Sequence, residues 1–192
     1  MKLLGMVLCL LALAAAPVLA DAPAIGAAAP PFSLTTLDGK SFSLAEATKG
    51  NSLVVLMFIS TQCPYSNAYN DRMRDMAAVY AKKGVLFVGI NSNKTETVQD
   101  AAAHAKKNGH TFPIVKDPDN KVADLYDARR TPEVYIIDKE GKLRYHGRID
   151  ENYEDPAKVS SPDLKNAVDA LLAGQSVAKA QTKAFGCTIK RV

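Results

Sequence analysis

The sequence predicts an α/β domain built on a central mixed β-sheet flanked by helices. Three observations predict it. Residues 53–59 and 85–90 are nearly continuous apolar runs, the composition of strands covered on both faces inside a parallel-type sheet. Segments with helical spacing follow each of them, so strand and helix alternate. Residues 32–44 instead alternate apolar and polar side chains around a turn, and residues 133–138 and 142–146 flank Lys139-Glu140-Gly141, which predicts a hairpin at either end of the core.

Each element has its own local reason. Residues 1–20 carry Lys2, an apolar run over 3–16 and the small-residue ending Pro17-Val18-Leu19-Ala20, the pattern of a cleaved signal peptide. The run is short for a membrane span, which leaves an uncleaved anchor as the alternative. A lipoprotein reading through Cys9 is weaker, because Leu8 stands where a small residue is needed. Residues 21–31, rich in Ala, Gly and Pro, form a leader with no packing pattern of their own. The core domain then spans residues 32–173.

Its first hairpin turns at Asp38-Gly39, and the first core strand ends at Ile59. Pro64 suits the first turn of a helix, where its missing N–H is no loss, and Ala68, Met73, Met76, Ala77 and Tyr80 carry that helix to about Lys82. Gly84 ends it. After the strand at 85–90, a helix is predicted over 95–107, a short extended piece at 113–115 and a brief helix over 120–126. The closing hairpin turns at Lys139-Glu140-Gly141, and the last helix covers 164–172, with Ser161-Pro162-Asp163 before it and Gly174 after it. The tail, residues 174–192, is polar until Phe185-Gly186-Cys187-Thr188-Ile189, a grouping out of place in a disordered segment.

At 192 residues the chain buries a core without disulfide staples, so stability does not explain its cysteines. A net charge of +4 with scattered Lys and Arg gives no footprint for nucleic acid, nor for a membrane once the signal is removed. Signal cleavage discards Cys9 and leaves Cys63 and Cys187, in a compartment where disulfides persist.

Cys63 opens the sequence Cys63-Pro64-Tyr65-Ser66, a CPYC-like site whose second sulfur is a serine hydroxyl. At a helix N-terminus the unpaired N–H groups favour the thiolate, the reactive form of cysteine, and Ser60, Thr61 and Ser66 can add hydroxyls. A buried, inert thiol is the bland reading of the same residue. Cys187 reads as a resolving thiol, with a structural bridge to Cys63 or a dimerising tail cysteine as the alternatives. His104, His110 and His146 are well separated and form no spaced pair with a cysteine, so no metal site is assigned and no cofactor is called for. His104 reads as helix surface, Tyr65 as one wall of a groove, and Glu133 as turn chemistry beside Pro132 or an influence on Cys63.

Cys63 between a buried strand and a helix, Thr131-Pro132 opening a later strand, and the preceding hairpin together resemble the thioredoxin-like fold, specifically the redoxin or AhpC/TSA group of exported thiol proteins. The resemblance spans residues 29–172. It implies a cis Thr131–Pro132 bond facing Cys63, with Arg130, Thr131, Pro132, Ser60, Thr61, Pro64, Tyr65 and Ser66 lining the substrate site. Departures accompany it. The chain has no Trp and no CxxC, Ser60 stands at the peroxiredoxin threonine position, Leu56 stands at its proline position, and neither Arg129 nor Arg130 is assigned to the thiol. The resemblance implies a periplasmic or secreted thiol-disulfide oxidoreductase with Cys63 and Cys187 as catalytic thiols. Its partners are protein or small-molecule thiols and disulfides together with a reducing protein. A thiol peroxidase acting on hydrogen peroxide or organic hydroperoxides is the alternative, and a peptide-binding or copper-delivery module is the alternative of another class.

Overall fold

A computed structural model describes residues 23–192, so the signal segment and Cys9 lie outside the described residues. The strands are β1 (Ser33–Thr36), β2 (Ser41–Ser43), β3 (Leu53–Phe58), β4 (Val85–Asn91), β5 (Ile114–Lys116), β6 (Arg130–Thr131), β7 (Glu133–Asp138), β8 (Leu143–Gly147) and β9 (Cys187–Thr188). The helices are α1 (Leu44–Gly50), α2 (Pro64–Ala68), α3 (Asn70–Ala81), α4 (Val98–Lys107), α5 (Lys121–Leu125) and α6 (Asp163–Leu172). One sheet runs in the order β2-β1-β5-β4-β3-β7-β8, with β3, β4 and β5 parallel and the outer strands antiparallel. The expected α/β architecture with a mixed sheet is the one observed.

Strand β3 lies between β4 and β7, and all of its residues are buried. Its side chains divide by the two-residue period of a strand. Val55 and Met57 enter a cluster with Met73 and Tyr80 of α3 and Leu164 and Val168 of α6. Val54, Leu56 and Phe58 enter the opposite one, with Val122 and Ala123 of α5. A strand covered this way has to be apolar throughout, which is why its sequence is so readable.

Four local features differ from the sequence expectation. Helix α1 is an additional element: Leu44 continues the alternation of β2 as a buried residue, yet it begins a helix of seven residues. The single helix expected over 64–82 is broken at Tyr69 (φ −96°, ψ −1°). Tyr69 turns inward and donates to Asp150 Oδ1 at 2.7 Å, so Tyr69 and Asn70 take the inward positions and Ala68 is exposed. The leader is not a free spacer. Gly26 N–H donates to Leu143 O at 2.7 Å, Ala29 N–H to Gly141 O at 2.8 Å, and Leu143 N–H to Ala27 O at 2.9 Å, which fastens it to the β7–β8 hairpin. Finally, His104 is half-buried, and its ring centroid lies 5.9 Å from that of His110, so these two histidines are neighbours in the fold.

The tail is docked along its length. His146 N–H donates to Ala180 O and Thr182 N–H donates to His146 O, both at 3.0 Å. Strand β9 pairs antiparallel with β6, placing Arg130 opposite Thr188 and Thr131 opposite Cys187. Ile189 is 3% exposed and joins the core face of Phe58 and Tyr126. The expectation that Phe185, Cys187 and Ile189 mark an ordered segment holds for this physical reason: one packs, one pairs and one is buried.

Candidate active site

Cys63 lies at the C-terminal end of β3, where residues 60–63 leave the sheet and Pro64 starts α2. It is 1% exposed. Its extended backbone (φ −87°, ψ 116°) makes it the N-cap of α2, and its sulfur accepts the Ser66 N–H at 3.4 Å. The thiol in turn donates to Thr131 O at 3.0 Å, and the Thr131–Pro132 peptide is cis, as the resemblance implied.

The loop in front of Cys63 is held by a buried acid that the sequence reading did not single out. Glu96, 2% exposed, accepts the Ser60 hydroxyl, the Thr61 N–H at 2.7 Å and Asn91 Nδ2–H at 2.6 Å. Burial alone would push its carboxyl up, but the donors from Ser60, Thr61 and Asn91 outweigh that and hold it below the ordinary carboxylate range. With its proton committed to Glu96, the Ser60 oxygen accepts the Cys63 N–H at 3.1 Å and the Gln62 N–H at 3.2 Å. Ser66, which replaces the second thiol of a CPYC motif, is buried, and its hydroxyl oxygen accepts the Ser60 N–H at 3.2 Å. No sequence signal pointed to Glu96: the helix expected from residue 95 starts only at Val98, with Thr97 as its N-cap, and the fold alone brings Glu96, just before it, to Ser60.

Across the site, Cys187 faces Cys63. Burial comes first, and the Cys63 thiol beside it second, in pushing the Cys187 thiol up to about 11; the Tyr65 N–H and Lys190 pull it partly back. Both cysteines are free thiols. Gly186 makes this approach possible. At φ +140° it lies so close to the β6 backbone that a Cβ there would be 2.1 Å from Thr131 O. Phe185 closes the other side by packing on Tyr65 and Tyr153, with ring centroids 6.2 Å from each, while Tyr65 and Tyr153 are 4.5 Å apart. Tyr65 packs against the tail, and Phe185 fills the space beside it.

The remaining candidates are distributed as follows. Thr131 is buried beside the thiol with its hydroxyl unpaired, and Pro64 is exposed at the start of α2. Arg130 turns to the tail and donates to Thr188 Oγ1 at 2.9 Å, whereas Arg129 pairs with Asp127 at 2.8 Å. Glu133 is occupied in holding the turn before Pro132: it accepts the N–H groups of Arg129 and Arg130, each at 2.8 Å, and contacts His146 Nε2 at 2.6 Å. His104 is not plain helix surface, since its Nε2 is 2.8 Å from Asn67 Oδ1 of α2. Among the described residues no group of three or more His, Cys, Asp or Glu is placed to hold a metal ion.

Comparison with known proteins agrees with this geometry. A thiol-disulfide oxidoreductase ResA of Geobacillus thermodenitrificans is 31% identical over 123 residues, covering 64% of this chain and 68% of that one. A chloroplastic peroxiredoxin Q of Oryza sativa is also 31% identical, over 150 residues, covering 73% of this chain and 64% of that one. The crystal structure of a hypothetical protein from Sinorhizobium meliloti superimposes with a TM-score of 0.82 at 34% identity, covering 90% of this chain and 97% of that one. The model of the AhpC/TSA family matches residues 25–146, a span that contains the Cys63 loop and the cis Thr131–Pro132 peptide and ends before the tail. On that match, and with this fold, the chain belongs to the AhpC/TSA family of thioredoxin-like, thiol-dependent oxidoreductases.

Proposed function

We propose that the protein is an exported thiol-disulfide oxidoreductase whose working dithiol is split between Cys63 on the core and Cys187 on the tail. The observation that carries this reading is the register of β6 with β9, which sets Cys187 opposite Thr131, the residue whose carbonyl accepts from Cys63. Ser66 cannot form a disulfide, so the second sulfur has to come from elsewhere, and the tail brings one.

The chemistry is ordinary thiol exchange. The Cys63 thiolate attacks one sulfur of a substrate disulfide, and the other substrate sulfur leaves as a thiol. Cys187, deprotonated, then attacks the Cys63 sulfur of the mixed disulfide. The bound substrate thiol leaves, a Cys63–Cys187 disulfide remains, and two electrons have passed to the substrate. A reducing dithiol partner restores both thiols. Burial first, and the neighbouring Cys63 thiol second, favour the protonated form of Cys187.

Export rests on the signal-like residues 1–20; among the described residues no helix is long and apolar enough to cross a membrane. Residues 32–173 form the proposed working domain, and residues 174–192 form a strap that delivers Cys187.

One observation favours a second reading, peroxide reduction by Cys63. Under the docked tail the thiol is 1% exposed, which suits a small oxidant. Against it, Arg129 and Arg130 are engaged with Asp127 and Thr188, which leaves neither at the sulfur to stabilise a peroxide. Turnover of a small disulfide with dithiothreitol separates the readings. The proposal expects wild-type turnover, none in Cys63→Ser, and an accumulated Cys63 mixed disulfide in Cys187→Ser. Rapid peroxide consumption with an untouched disulfide would replace this reading by the second.

A further inference from the structure

We propose that Asn91 at the end of β4 and the loop of residues 92–97, with Glu96 as its central positioning residue, are the part that sets Cys63 and Cys187 against each other. The inference rests on the split-dithiol reading and adds the residues that make the split workable.

The loop holds both halves of the site. On one side, Glu96 accepts hydrogen bonds from the Ser60 hydroxyl and the Thr61 N–H, and Ser60 passes the constraint on by accepting the Cys63 N–H. On the other side, Asn93 Oδ1 accepts the Lys190 N–H at 2.8 Å, and the Lys94 N–H donates to Lys190 O at 2.9 Å. Lys190 lies three residues beyond Cys187, so this clamp fixes the strand that carries the second thiol. Lys116 braces the loop from beneath, donating to Asn91 Oδ1 and to Asn93 O, both at 2.7 Å. Asn91 then donates from its Nδ2 to Glu96. Asn91, Asn93 and Glu96 are each at most 3% exposed, so the network is shielded from water and each lost partner leaves a buried group unpaired.

The consequence concerns the disulfide equilibrium. Two thiols held by one rigid loop have a higher effective concentration than two thiols on independently moving segments, which favours the bridge. Glu96→Gln brings an amide N–H₂ against donors from Thr61 and Asn91, so it frees the Cys63 loop while leaving the tail clamp in place.

The test equilibrates the full chain with dithiothreitol redox buffers and quantifies the Cys63–Cys187 bridge by alkylation and peptide mass. Glu96→Gln is expected to shift the equilibrium constant toward the dithiol by about tenfold, the equivalent of one buried charge-assisted hydrogen bond. Ser60→Ala is expected to shift it the same way, and the double variant no further than the larger single, because both act on one path. Ser60→Thr keeps the hydroxyl and is expected to move it less than Ser60→Ala. Tyr80→Phe, which loses a 2.7 Å bond to Asp169 in another part of the core, lowers the melting temperature without moving the constant. If Glu96→Gln does not fold, Ser60→Ala and Ser60→Thr decide. A bridge that forms in the wild type and stays within about twofold in these variants overturns the role of Glu96 alone. A wild type that forms no bridge overturns the split dithiol, and this inference with it.

Discussion

Gly186→Ala is the sharpest perturbation of the tail. A Cβ at this position lies 2.1 Å from Thr131 O and 2.9 Å from Thr131 C, far inside the 3.4 Å at which ordinary contact begins. Both atoms belong to the backbone beside the cis proline, so no side chain can swing away to make room. The tail strand has to retreat by more than an ångström, which breaks the pairing of Thr131 with Cys187. Re-exposing Ile189 costs about 1.5–3 kcal/mol. Releasing this strap is therefore cheaper than unfolding a domain, which takes about 5–15 kcal/mol. The expected result is local unseating in a folded protein. Alkylation of Cys63 by a bulky maleimide, followed by peptide mass, should accelerate at least about tenfold as the open state gains more than 1.4 kcal/mol over the closed one. The Cys63–Cys187 bridge should form more slowly in the same variant. Wild-type alkylation and bridging in a folded Gly186→Ala protein would show that the tail does not gate Cys63, and the reasoning would fail.

Other perturbations give separate outcomes. Ser66→Cys restores a second thiol one helical turn from Cys63, and mapping of the oxidised variant should find a Cys63 bridge to position 66 competing with the bridge to Cys187. Glu133 is raised by burial, but contacts from His146 and the N–H groups of Arg129 and Arg130 hold it below its ordinary 4.5. Its contribution to stability is thus complete above pH 4.5 and lost as the pH falls through the lower folded value, so Glu133→Gln should flatten the stability profile on the acid side of pH 4.5. His110 is pushed down from 6.5 to about 4, first by burial and then by His104 and Arg74, and both of its ring nitrogens are buried without partners. The unfolded chain binds this proton more readily, so stability should fall between pH 6.5 and 4 as the solution is acidified. His110→Phe, which keeps the stack on Phe112 at 4.8 Å, should remove that part of the slope in denaturant titrations across the window.

The readable parts of this protein are those where one physical requirement dominates. Strands β3 and β4 have to be apolar on both faces, and Asp38-Gly39 and Gly141 have to turn, so the sheet and its hairpins were legible. Cys63, Pro64 and Thr131-Pro132 were legible because each is a residue type with few other uses in that context. The break at Tyr69 was not, because it follows from the Tyr69 hydroxyl reaching Asp150, a partner far along the chain. Glu96 was hidden for the same reason: an acid in the first turn of a helix expected over 95–107 looks solvated until the fold brings it to Ser60. The tail was legible in part. Phe185, Cys187 and Ile189 announced order, but the seat of Cys187 depends on Gly186 meeting the β6 backbone, a fit that no periodicity encodes.

The most direct test of the split dithiol is a disulfide map of the air-oxidised, unreduced protein, read by alkylation, proteolysis and peptide mass together with the oligomeric state. The expected result is a monomer in which the peptides of Cys63 and Cys187 are joined to each other. Free thiols at both positions after oxidation, or a Cys187–Cys187 bridge between two chains, would contradict it.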